Sequence, residues 1–140
     1  MATVTLWHDP DCSKSRRALA HLEELGIDVT VRAYRKEPPT RDELLAVLAA
    51  LGLPASGLAR RNEALFDELG LGSASDATIL DAMLAYPSLI ERPIAVRFEH
   101  GKLRAALGRP PVRVLEVVAP SMEFAPHVAD AIARLNGERR

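Results

Sequence analysis

The only cysteine of this 140-residue chain, Cys12, lies where an apolar run gives way to a helical pattern. A thiol at the start of a helix faces backbone N–H groups that have no partner within the helix, and the helix dipole favours negative charge there. Thiols in such positions ionise more readily than an ordinary cysteine. Lys14 and Arg16 add positive charge close by in sequence. The pattern therefore predicts a nucleophilic Cys12 thiolate.

A lone cysteine can also be a small buried apolar residue without any chemistry. The neighbours of Cys12 favour reactivity, because they are charged and polar residues rather than an apolar run. The chain can form no internal disulfide, and Ser15 occupies the place of the second cysteine in a Cys-x-x-Cys pair. If Cys12 takes part in redox chemistry, its partner thiol must come from glutathione or another protein.

Composition and charge limit the class of protein. The chain is 48% hydrophobic and 26% charged, which is typical of a globular domain, and its net charge of −1 gives no reason to expect nucleic-acid or membrane binding. No apolar run approaches the ~18 residues of a membrane span. The start of the chain has no signal-peptide pattern, so we expect a cytoplasmic protein. The histidines show no ligand spacing with Cys12, and no metal site is predicted.

The first third of the chain predicts a βαβ unit. Thr3–Trp7 is typical of a strand, and a helix follows from about Ser13 to Leu25, where Gly26 can end it. Ile27–Tyr34 alternates between apolar and polar residues, which predicts a strand with one buried face. Because a crossover helix joins them, the two strands should be parallel.

Short helices are predicted for the middle of the chain. Pro38-Pro39 separates the preceding strand from the next element, and Thr40 and Glu43 form a capping-box pattern that begins an amphipathic helix. Gly52 and Pro54 end this helix. Shorter helical patterns follow between Ser56 and Tyr86.

The last part predicts a hairpin and a closing helix. Ile94–Phe98 and Leu103–Leu107 are typical of two strands joined by a turn, and the helix contains Val112, Leu115 and Val118. A further helix is predicted for Pro126–Leu135. This order predicts an α/β, thioredoxin-like fold, βαβ plus ββα around a mixed sheet. We expect a single domain over residues 1–140, with a helical insertion at about 40–87.

Five segments of the chain resemble motifs of the glutaredoxin-dependent arsenate reductase family, within the superfamily that also contains the Spx regulators. They occur in the family's order and cover the chain from Thr3 to about Val118. The segments are His8-Asp9-Pro10-Asp11-Cys12-Ser13-Lys14-Ser15-Arg16, Glu37-Pro38-Pro39-Thr40-Arg41-Asp42-Glu43-Leu44, Leu58-Ala59-Arg60-Arg61-Asn62, Leu89-Ile90-Glu91-Arg92-Pro93-Ile94 and Gly108-Arg109-Pro110-Pro111.

The resemblance implies an enzyme that reduces arsenate to arsenite, with glutathione as co-substrate, glutaredoxin as partner and no bound cofactor. Cys12 would attack arsenate, His8 would tune the thiol, and Ser15 would bond to the thiolate or cap its helix turn. Guanidinium groups are suited to oxyanions because they are planar, permanently charged forks. The implied oxyanion ligands are Arg60, Arg92 and Arg109, and Arg16 is a further predicted substrate-binding residue. A cis Arg92–Pro93 peptide bond and a monomer are also expected.

Two carboxylates depart from the family pattern. Asp9 stands where the family usually has asparagine, and Asp11 follows. Both would oppose thiolate formation unless they point away or pair with Lys14 or Arg16. Two other functions therefore stay open. The chain could be a Spx-like regulator that binds the RNA polymerase α-subunit, or a glutathione-dependent thiol oxidoreductase with another substrate.

Overall fold

The computed structural model describes residues 3–118. The chain divides into two compact units, one formed by Met1–Ala33 with Arg92–Arg140 and the other by Tyr34–Glu91. The helix predicted for Pro126–Leu135 lies outside the described residues. Within them, no helix combines the length and the apolar character that crossing a membrane requires.

The first unit is built on a four-stranded mixed sheet. Its strands are β1 (Thr3–Trp7), β2 (Asp28–Arg32), β3 (Ile94–Glu99) and β4 (Lys102–Leu107), in the order β2-β1-β3-β4. β1 pairs parallel with β2 and antiparallel with β3, and β3 pairs antiparallel with β4. This arrangement confirms the predicted βαβ unit, hairpin and thioredoxin-like mixed sheet.

Helix α1 (Ser13–Glu24) connects β1 to β2 and ends just before Gly26, as predicted. Gly26 adopts a φ of 71°, and its N–H donates to the Glu23 carbonyl at 2.9 Å. The Ile27 N–H donates to the Leu22 carbonyl at 3.2 Å. These two bonds form a Schellman motif. The core of this unit combines residues of the sheet and of α1 with the closing helix: Val4, Leu6, Ala18, Leu22, Ile27, Ala95, Ala106, Val114, Leu115, Val117 and Val118.

Two predicted elements differ in detail from the structure. The closing helix over Pro111–Val117 is a 3-10 helix, although its apolar residues enter the core as expected. The face of β2 that should be buried is buried only in part, because Val29 is half-buried and Val31 is 47% exposed. β2 lies at the edge of the sheet, so only part of its alternating pattern meets the core.

The second unit is helical. Helix α2 (Arg41–Leu51) begins with the predicted capping box, in which Thr40 Oγ1 accepts the Glu43 N–H and Glu43 accepts the Thr40 N–H. It ends at Gly52 in the left-handed conformation. The remaining helical elements are α3 (Ala55–Leu58), α4 (Ala64–Glu68), α5 (Asp76–Ala85) and two 3-10 helices, Leu71–Ser73 and Pro87–Leu89.

The ends of β3 and β4 meet at a close backbone contact. The Gly108 N–H donates to the Pro93 carbonyl at 2.8 Å. A Cβ atom on Gly108 would lie 2.6 Å from Pro93 Cγ and 2.9 Å from Val114 Cγ1, so only glycine fits. The Arg92–Pro93 peptide bond is cis, which confirms the prediction, and Arg109–Pro110 is a second cis bond that was not predicted. The contact holds the segments of Arg92 and Arg109 side by side.

Replacing Gly108 with alanine should therefore destabilise the fold. The added methyl group must displace proline ring atoms or a core valine, and overpacking of this kind costs about 1–3 kcal/mol. The measurement is the free energy of urea unfolding. Gly72→Ala is the matched control, because an added Cβ there meets only Phe66 at 3.9 Å, an ordinary contact. Equal stability of Gly108→Ala and wild type would contradict the close packing.

Candidate active site

The loop between β1 and α1 places Cys12 directly before the first residue of the helix. The His8 N–H donates to the Arg32 carbonyl at 2.8 Å, which extends the pairing of β1 with β2 beyond Trp7. The Cys12 N–H donates to the Asp9 carbonyl at 3.0 Å and turns the chain toward the helix. Cys12 has extended backbone angles and is the N-cap residue of α1. This local geometry is the one predicted from the junction of strand and helix.

Opposing influences act on the half-buried Cys12 thiol. Burial is the largest single influence, and it raises the pKa because it penalises the charged form. The backbone N–H groups of Ser15 and Lys14 and the guanidinium of Arg92 act in the other direction. The sulfur makes no close cap bond of the kind a serine oxygen makes, but these donors still stabilise its negative charge. Together they hold the Cys12 pKa below its ordinary value.

His8 and Ser15 form a buried pair beside the thiol. Ser15 Oγ lies 2.7 Å from His8 Nδ1 and accepts the Asp9 N–H at 3.0 Å. Burial, the largest influence, lowers the pKa of His8; the Asp9 carboxylate raises it, Arg16 lowers it, and the net change is downward. The direction of this hydrogen bond follows the His8 tautomer: with its proton on Nε2, neutral His8 accepts the Ser15 hydroxyl proton at Nδ1, and with its proton on Nδ1 it donates to the hydroxyl oxygen. The Ser15 hydroxyl therefore contacts the His8 ring and the Asp9 N–H. The two contacts predicted for it, with the Cys12 thiolate and with the first turn of α1, are not among its described hydrogen bonds.

Asp9 neither points away from the site nor pairs with Lys14 or Arg16 in the ion pairs described. Its side chain is 1% exposed, and Oδ2 lies 3.2 Å from Arg92 Nε, an ion pair whose N–H is not aligned as a hydrogen bond. Oδ1 accepts the Asp11 N–H at 3.0 Å. The register of β1 and β3 explains why Arg92 is the partner of Asp9. Trp7 pairs with Ile94, so the residues just after Trp7 and just before Ile94 lie at the same end of the sheet.

The four arginines predicted to bind substrate occupy different positions. Arg92 and Arg109 precede β3 and follow β4, so they belong to the same end of the sheet as Cys12. Arg16 is exposed, and its guanidinium donates to the Pro10 carbonyl at 2.7 Å. Arg60 belongs to the second unit, where its Nη1 lies 3.0 Å from Glu63 Oε2. The structure therefore brings Arg92 to the thiol directly and Arg109 to the same sheet end.

A groove of about 580 Å³ lies against the first turns of α1. Three of the residues that line it are cationic, namely Lys14, Arg16 and Arg17, and the others are Ser13 and Pro111. Among residues 3–118, no group of three or more His, Cys, Asp or Glu side chains is arranged to hold a metal ion. Within the described part of the chain, the chemistry available at this end of the sheet is that of a stabilised thiolate with guanidinium groups beside it.

This fold and site define a thioredoxin-like α/β protein with a single cysteine at the start of its first helix. The chain belongs to the ArsC family, whose model matches residues 7–117. It is 40% identical to an arsenate reductase of Rhizobium meliloti (strain 1021), with 98% of each chain covered. It is 42% identical to uncharacterized protein YfgD of Escherichia coli (strain K12), over 82% of this chain and 96% of that protein. The solved structure of an arsenate reductase from Vibrio cholerae is 42% identical and superposes with a TM-score of 0.75, over 83% of this chain and 98% of that one. The predicted family is confirmed.

Replacing Arg92 with methionine should raise the pKa of Cys12, because a cation beside the thiolate is lost and the Asp9 carboxylate is no longer balanced. The measurement is the pH dependence of Cys12 alkylation by iodoacetamide. Arg92→Lys should shift the midpoint less, since it keeps the charge. Arg17→Met, at an exposed position of α1, is the matched control and should leave it unchanged. An unshifted midpoint in Arg92→Met would contradict the assigned contact.

Proposed function

We propose that this protein is a glutathione- and glutaredoxin-dependent arsenate reductase with Cys12 as its nucleophile. The observation that carries the proposal is the position of the only cysteine in the chain, at the start of α1 and beside Arg92, where the surrounding donors lower its pKa. The names of the family relatives support arsenate as the substrate. A cytoplasmic location fits the need of such a thiol for a reducing compartment.

The first proposed step joins the thiol to arsenic. Arsenate is an anion at neutral pH, so an approaching thiolate is repelled unless cations screen the charge. Arg92, and Arg109 at the same end of the sheet, are suited to this because guanidinium groups form charge-assisted bonds with oxyanions. The Cys12 sulfur attacks arsenic, an S–As bond forms, and one arsenate oxygen leaves as hydroxide or water. Arg60 stays a predicted oxyanion ligand from the family resemblance.

The second proposed step uses an external thiol, because the chain has no second cysteine. The glutathione thiolate attacks the Cys12 sulfur, an S–S bond forms, and the S–As bond breaks. Its electron pair stays on arsenic, which is thereby reduced from As(V) to As(III) and released as arsenite. Glutaredoxin then takes up the glutathione in a thiol–disulfide exchange and returns the free Cys12 thiol.

The cationic groove beside α1 supports glutathione as the reductant. Glutathione carries two carboxylates, and the groove provides three cationic side chains, those of Lys14, Arg16 and Arg17. These residues lie in the first turns of α1, which begins directly after Cys12. A carboxylate-bearing thiol held there would be close to the sulfur that it must attack.

Another substrate for the same thiol is the second candidate, and the buried Asp9 is the observation that favours it. Its carboxylate balances part of the Arg92 charge that a highly charged arsenate would otherwise meet. A glutathione adduct or another small oxidant would need less positive charge at the site. The Spx-like regulatory function stays a prediction from the fold resemblance alone.

The test is a coupled assay with purified protein, glutathione, glutaredoxin, glutathione reductase and NADPH. We expect NADPH oxidation that depends on arsenate and is abolished in Cys12→Ser, because the nucleophile is lost. Arsenite is measured directly in the same reaction. The proposal fails if glutaredoxin is active in a control reaction with a glutathione mixed disulfide and arsenate still gives no oxidation. In a reaction without glutaredoxin, activity with the mixed disulfide that requires Cys12 would then support the second candidate.

A further inference from the structure

Asp9 is fixed in place from several sides. Its backbone N–H donates to Ser15 Oγ and its carbonyl accepts the Cys12 N–H, each at 3.0 Å. Its carboxylate is buried, accepts the Asp11 N–H through Oδ1 and faces Arg92 Nε through Oδ2. The turn that holds the thiol therefore also holds this carboxylate against the arginine.

The Arg92 guanidinium consequently faces two anions. One is the Cys12 thiolate and the other is the Asp9 carboxylate. Counted alone, these three groups carry one net negative charge. Arg109 adds a cation at the same end of the sheet, so an anion can still bind there. Because buried charges are screened weakly, an anion with two charges is repelled by Asp9 about twice as strongly as an anion with one.

We propose that Asp9 is a positioning and specificity-determining residue: its ion pair at Nε holds the Arg92 guanidinium in place, and its charge makes the site favour singly charged oxyanions over doubly charged ones. This inference rests on the proposed oxyanion site at Cys12 and Arg92. Asn at position 9 would remove the charge and keep an oxygen that can face Arg92. Ala at position 9 would remove both.

Anion protection of Cys12 from iodoacetamide tests the inference without any turnover. The probes are sulfate, which carries two charges, and perchlorate, which carries one; both are tetrahedral and keep their charge across the working pH range. The measurement is the anion concentration that halves the alkylation rate at constant ionic strength. In the wild-type protein, perchlorate should protect at concentrations no higher than those needed for sulfate.

The variants separate charge from positioning. In Asp9→Asn, the half-protecting concentration of sulfate should fall about tenfold and that of perchlorate only about threefold, because the removed repulsion scales with the charge of the anion. In Asp9→Ala, the gain for sulfate should be smaller than in Asp9→Asn, because Arg92 loses the oxygen that holds it in place. Circular dichroism checks the fold of each variant.

Three results would overturn the inference. Equal gains for both anions in Asp9→Asn would remove the selection by charge, and equal gains in Asp9→Asn and Asp9→Ala would remove the positioning role. If neither variant folds, sulfate protection of the wild-type protein at much lower concentrations than perchlorate would still contradict it. A complete lack of protection by either anion in every protein would instead show that the proposed oxyanion site fails, and the inference with it.

Discussion

The site depends on a balance between burial of the Cys12 thiol and the donors that face it. Burial alone would keep the thiol protonated and unreactive. The N–H groups at the start of α1 and the guanidinium of Arg92 reverse this preference and lower the pKa. The helix supplies part of the stabilisation through its backbone, so that part needs no particular side chain. The remainder depends on Arg92, which is distant in sequence and is brought close to Cys12 by the pairing of the strands.

The two central strands of the sheet bring Cys12 and Arg92 together. Antiparallel pairing of β1 with β3 sets Trp7 opposite Ile94, so the loop that carries Cys12 and the segment that carries Arg92 leave the same end of the sheet. The contact of Gly108 with Pro93 adds the segment that carries Arg109. A change in the register of β3 would therefore disturb the chemistry of a thiol more than eighty residues earlier in the chain.

The sequence predicts those features that local chemistry decides. The Schellman end of α1 at Gly26 and the capping box at Thr40 follow from short-range backbone preferences, and the structure has both. The alternation of apolar and polar residues in β2 did not predict that Val31 is exposed, because this exposure depends on the position of β2 at the edge of the sheet. The pairing of Asp9 with Arg92 escaped prediction for a similar reason, since strand pairing rather than sequence proximity creates it.

The most direct measurement is a titration of the Cys12 thiolate by its ultraviolet absorbance, with Cys12→Ser as the baseline. Because the chain has one cysteine, the signal reports this thiol alone. We predict a midpoint clearly below the pKa of roughly 8.5 of an ordinary cysteine. A midpoint at or above that value would contradict the account, because burial would then outweigh the start of α1 and Arg92.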